Sequence, residues 1–71
     1  MRPVSDRPFI VDRWYEFHRG ECRKQHFRYP TREEAERSAQ SYFDLGDTTR
    51  IRLSRENPYG GKAEVLKVWE R

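Results

Sequence analysis

Residues 29–46 (YPTREEAERSAQSYFDLG) spell one helix with both ends marked, and the stretches on either side alternate like strands. Thr31 is placed as N-cap with Glu34 as its reciprocal partner, a T-x-x-E capping box. Gly46 stands where a left-handed residue stops a helix. The spacing predicts a helix over 32–45 with a narrow apolar stripe of Ala35, Ala39, Tyr42 and Phe43, and Leu45 near its end. Alanines in its first half let it lie close on a sheet. Glu33, Glu34 and Glu36 suit the positive end of the helix dipole, and Glu33 to Arg37 is a favourable i,i+4 pair. One such helix between two alternating stretches predicts a single α+β domain of ββαββ order. Its antiparallel sheet has about four strands, with the helix packed on one face.

The core must be thin. Val, Ile, Leu and Phe make up 13 of 71 residues, just below the range at which a chain tends to disorder. The net charge of only +3 and ten aromatic residues argue against that outcome. Phe9, Tyr15, Phe17, Phe27, Tyr29, Tyr42, Phe43 and Trp69 are the expected filling, each ring burying roughly 150–250 Å². A homodimer that buries further surface is compatible with so small a unit. Residues 1–8 carry two prolines and no apolar pattern and read as a flexible arm ahead of a domain over 9–71. Cys22 is the one cysteine, so no internal disulfide framework is expected, which suits a reducing cytoplasm. The longest apolar run is Phe9-Ile10-Val11, so neither a membrane span nor a secretory segment is expected.

Residues 9–18 alternate as a strand. Phe9, Val11, Tyr15 and Phe17 fall on one face, interrupted by Arg13; Ile10, Asp12, Trp14, Glu16 and His18 fall on the other. Arg19-Gly20 signals a turn and residues 21–29 return. Opposite-charge pairing predicts the register. A three-residue loop over 19–21 sets Glu16 opposite Lys24, Asp12 opposite Arg28, Trp14 opposite His26 and His18 opposite Cys22, whereas a two-residue loop mixes the faces. In residues 48–55, Thr49, Ile51 and Leu53 face one way and Arg50, Arg52 and Ser54 the other. Asn57-Pro58-Tyr59-Gly60-Gly61 is a turn cluster. Residues 63–69 form the last strand, with Val65 and Trp69 on one face and Leu66 and Val68 on the other. That pattern fits a central strand, or an edge strand that a partner covers.

Charge is segregated along the chain. Residues 31–47 hold two Arg against five acids, while residues 19–29 and 48–62 each hold four basic residues against one acid. If the helix covers one sheet face, the other displays Trp14, Lys24, His26, Arg28, Arg50 and Arg52. Cations neutralise phosphates and rings stack on bases, so this combination points to nucleic acid, or a nucleic-acid-handling complex, as partner. The alternative is docking on a host protein through the acidic helix (Glu33, Glu36, Asp44) or through the last strand with Trp69. His18, Cys22 and His26 share a face, but Cys22 and His26 lie roughly 13 Å apart by strand rise, too far to ligate one metal. Cys22 beside His18 lacks an orienting acid and an oxyanion loop. Neither enzymatic activity nor a metal or cofactor is expected.

Residues 14–39 (WYEFHRGECRKQHFRYPTREEAERSA) carry an aromatic strand, a Gly turn, a basic strand and a Thr-x-x-Glu-Ala helix start. This order resembles the arm-type DNA-binding domains of tyrosine recombinases, with Phe27-Arg-Tyr-Pro-Thr31 at the strand–helix junction. The resemblance implies DNA contact through Arg23, Lys24 and Arg28. Those domains place three strands before the helix, where this chain reads as two before and two after. In size and type the chain is also similar to small phage-encoded inhibitors of the anti-CRISPR kind, which implies a mobile-element inhibitor or adaptor.

Overall fold

The computed structural model describes residues 6–18 and 20–71. Four strands and one helix follow in the order β1 (Phe9–Glu16), β2 (Cys22–Tyr29), α1 (Arg32–Phe43), β3 (Thr48–Arg55) and β4 (Glu64–Glu70). The strands form one antiparallel sheet of order β2-β1-β3-β4, and α1 packs on one face of it. This is the predicted small α+β domain. Among the described residues no helix is long and apolar enough to cross a membrane. Residues 1–5 of the expected arm, and Arg19 of the expected turn, lie outside the described residues. The near end of the arm is tied down, with the Pro8 carbonyl accepting the Glu56 N–H at 2.7 Å.

The helix starts where its cap requires. Thr31 has extended backbone and its hydroxyl accepts the Glu34 N–H at 3.2 Å, which satisfies one of the donors that a helix start leaves open. The last turn closes at Phe43, two residues short of the predicted end, and Gly46 follows with φ +89°. Ala35 and Ala39 are fully buried against the sheet, where they meet Val11, Ile51, Leu53 and Trp69. The Trp69 indole N–H donates to Gln40 of α1 at 3.0 Å. Phe27 stacks on Tyr42 with ring centroids 5.2 Å apart. Of the aromatics expected inside, Phe17 is 44 % exposed. It lies past the end of β1, where its ring meets His18 and Arg23.

The β1–β2 register differs from the charge-based expectation by two residues. Trp14 pairs with Lys24, Asp12 with His26, and Glu16 with Cys22. The connection is therefore residues 17–21, closed by Glu21 N–H to the His18 carbonyl at 2.8 Å, with Gly20 at φ +86°. In this loop Gly20 occupies the left-handed position, which the shorter loop would have denied it. A slip of two keeps every side chain on its expected face.

Two bulges also revise the expected faces. Trp14 pairs with Arg50 but Tyr15 with Thr48, so Thr49 is the extra residue and Thr48, not Thr49, turns under the helix. Leu53 pairs with Lys67 but Ser54 with Val65, so Leu66 is extra on β4. Leu66 joins Trp69 on the helix side, while Val65 and Val68 emerge on the opposite face, 51 % and 40 % exposed. β4 is an edge strand.

The residue that interrupted the apolar alternation of β1 is held inside. Arg13 is 5 % exposed. Its guanidinium donates to the Thr48 hydroxyl at 2.7 Å, the Gln25 side chain at 2.6 Å and the Asp47 carboxylate at 2.9 Å. It lies 4.5 Å from the Tyr15 ring centroid and 4.7 Å from that of Tyr42. Arg13→Ala removes this hub and leaves a space under the helix, and we expect a loss of about 2–4 kcal/mol in urea unfolding. Asp47→Ala, at a half-exposed carboxylate, should cost about 1 kcal/mol because Arg13 keeps its other partners. Equal costs for the two variants would contradict the hub.

Candidate nucleic-acid interface

Side chains on the sheet face away from α1 form rows, because paired residues of neighbouring strands point the same way. One row runs Lys24, Trp14, Arg50, Glu70 from β2 to β4. The next runs His26, Asp12, Arg52, Val68, and the third runs Arg28, Ile10, Ser54, Val65. All six residues expected on this face therefore stand together: Trp14, Lys24, His26, Arg28, Arg50 and Arg52. Trp14 is half-buried at the centre of its row. Lys24 Nζ, Arg50 Cζ and Arg52 Cζ lie 5.2, 5.0 and 5.3 Å from the centroid of its ring, within the range of cation–π attraction.

Asp12 organises the second row. It is 4 % exposed. His26 Nδ1 lies 2.9 Å from its carboxylate, an Arg52 Nη 3.2 Å and Lys24 Nζ 3.7 Å. Burial pushes the Asp12 carboxyl up, but hydrogen bonds from His26 and Arg52 and the charges of Lys24 and His26 outweigh it. The group is held below the ordinary value of 3.8. The Glu16–Lys24 and Asp12–Arg28 pairs expected from sequence are replaced: Lys24 goes to Asp12, and Arg28 lies 3.5 Å from Glu56. The shifted register explains the exchange, since it sets His26 opposite Asp12 with Lys24 diagonal to it, while β3 supplies Arg52. Arg50 lies 3.4 Å from Glu70.

Between the second and third rows runs a groove of about 490 Å³. Its floor is Ile10, Asp12 and Ser54, each under 9 % exposed, and Lys24, His26, Arg52, Lys62 and Val65 wall it. Lys62 arrives from the β3–β4 turn, where Gly60 and Gly61 both have positive φ. Sequence reasoning placed Asp12 on this face but assigned it no role in the site, and it did not bring Lys62 to this face. The alternation of β1 was the available signal for Asp12. Nothing local marks Lys62, because the turn folds it back over the sheet.

Comparison of the chain with protein-family models, with curated proteins and with solved structures gives no match in any of the three.

The chemistry of the face therefore rests on its own residues. It can hold anions through Lys24, Arg50, Arg52 and Lys62, and it offers one indole ring among them. Among the described residues no group of three or more His, Cys, Asp or Glu is placed to hold a metal ion. The residues of the alternative docking surface are scattered. Glu33 and Glu36 pair with Arg37 at 3.1 Å and Arg32 at 2.9 Å along the exposed side of α1. Asp44 accepts from Gln40 at 2.9 Å. Trp69 is 9 % exposed and belongs to the core, because the β4 bulge and the Gln40 bond turn it under the helix.

The lowered carboxyl of Asp12 has a consequence for stability. Its contribution is complete above its unfolded value near 3.8 and is lost as pH falls through the lower folded value. Asp12→Asn should remove that part of the acid limb of the stability–pH curve, followed as the urea midpoint between about pH 5 and 2. An unchanged acid limb would show that Asp12 makes no favourable interaction in the folded state.

Proposed function

We propose that the chain is a small, non-enzymatic, cytoplasmic protein that binds nucleic acid, alone or within a nucleic-acid-handling complex, through the open face of its sheet. One observation carries this reading: three cations converge on Trp14 on the face that the helix leaves uncovered. The cations are not fully neutralised where they stand. The single carboxylate of Asp12 serves Lys24, Arg52 and His26 together. The remaining pair in the Trp14 row, Arg50–Glu70, is exposed at both ends. Such a pair is worth about 0–1 kcal/mol, so a phosphate displaces it at little cost and receives a charge-assisted hydrogen bond in return.

The second reading is a mobile-element inhibitor or adaptor that docks on a host protein. Val65 and Val68, exposed on edge strand β4, favour it, since an uncovered apolar edge is a surface on which another chain can add.

Salt separates the two. Binding that neutralises about four phosphates gives a slope near −3 to −4 in log K against log salt. Arg50→Glu combined with Arg52→Glu should lower affinity for a labelled oligonucleotide by more than tenfold and flatten that slope. Full affinity in this double variant, or a slope near zero, would remove the nucleic-acid reading. Loss of biological activity on Val68→Asp, with oligonucleotide binding intact, would favour docking on a protein.

A further inference from the structure

The rows of the open face differ in what they offer, and the difference bears on the strandedness of the partner. In the first row the indole of Trp14 lies between two cations on neighbouring strands. In the groove beside it, Lys24 and Arg52 hold one buried carboxylate, Lys62 lines the same groove, and Ser54 lies in the floor. The Arg52 Nε in this cluster is buried without a hydrogen-bond partner. A ring platform and an anion pocket therefore lie one row apart on the same face.

We infer that the face is built for an unpaired strand, with one base against Trp14 and the adjoining phosphodiester in the groove walled by Lys24, Arg52 and Lys62. The inference rests on the nucleic-acid reading above and narrows it. A paired duplex keeps the π-faces of its bases stacked inside the helix, out of reach of Trp14; an unpaired strand exposes them. The helix of this domain lies on the opposite side of the sheet, so it does not project from this face toward a duplex groove. To stack, a base takes the place of an exposed cation at the ring. The Lys24 side chain is half exposed and only 3.7 Å from Asp12, so it can leave the indole and keep its carboxylate. An exposed cation–π contact is the weaker of the two interactions. The phosphate meets an excess of positive charge in the groove, because Asp12 is one carboxylate against three permanent cations.

The test uses the full chain with fluorescent oligothymidylate, oligouridylate and a DNA duplex, each about sixteen nucleotides long, followed by anisotropy at low salt. We expect either single strand to bind at least tenfold tighter than the duplex, and the two single-stranded arms distinguish DNA from RNA as the source of the shared chemistry. Trp14→Leu should weaken single-strand binding by about ten- to hundredfold, a stacking contribution, with little change for the duplex, and Trp14→Tyr should restore most of it. Lys62→Ala should lower the salt slope by about one phosphate without touching the Trp14 effect. Because Trp14→Leu disturbs a half-buried position, the unaltered protein supplies a second readout. Unlabelled oligothymidylate should quench its tryptophan emission, and the duplex should not, Trp69 being enclosed. Duplex binding as tight as single-strand binding, or a folded Trp14→Leu with full single-strand affinity, overturns the inference and leaves the nucleic-acid reading standing. Binding of none of the three probes overturns both.

Discussion

A guanidinium under the helix holds this fold in one arrangement. Arg13 sits on a central strand, and its head group is fully engaged: Asp47 and Thr48 where β3 begins, Gln25 on β2, and the rings of Tyr15 and Tyr42 at 4.5 and 4.7 Å. A buried charge without partners would cost several kcal/mol. Its hydrogen bonds tie β1 to β2 and to the start of β3, and the Tyr42 ring is its contact with α1. In a chain with so few aliphatic residues, non-directional burial alone would specify the helix position poorly. The bulge at Thr49 belongs to the same solution, since it turns Thr48 inward to the guanidinium.

The neighbouring residue does the opposite task. Successive side chains of a strand point to opposite faces, so Asp12-Arg13 in a central strand sends one charge to each side of the sheet. Arg13 finds acceptors beneath α1. Asp12 collects His26, Lys24 and Arg52 on the open side. Without it Lys24 on β2 and Arg52 on β3 would flank β1 with no counter-charge between them. One carboxylate among them holds the strands together and still leaves the outer surface positive. The stability of the sheet and the character of the open face therefore meet in one side chain, and both depend on its staying ionised.

The sequence was most legible where the signal is local. The cap at Thr31 follows from the T-x-x-E spacing, and the span of β3 and the division of Ile51 and Leu53 from Arg50 and Arg52 follow from strand periodicity. The composition of the open face follows too, because a two-residue slip does not change parity. The hairpin register was not legible. The charge pairs used to choose it are worth only tenths of a kcal/mol to about 1 kcal/mol. The turn needed a left-handed Gly20, and the longer loop set His26 opposite Asp12 with Lys24 beside it. Parity also failed at Thr48–Thr49 and at Val65–Leu66, where an inserted residue resets the alternation and no local signal announces it.

Order along the chain, the start of the helix and the sidedness of β1, β2 and the middle of β3 were properties of the amino-acid sequence itself, since they depend on residues within a few positions of one another. The partners of Arg13, the sharing of Asp12 and the return of Lys62 over the groove were decided only in three dimensions. Asp47 and Thr48 lie 34 and 35 residues from Arg13, and strand order and bulges, not spacing, bring them to it. The physical reason is that alternation sets which way a side chain points, while long-range pairing sets what it meets there.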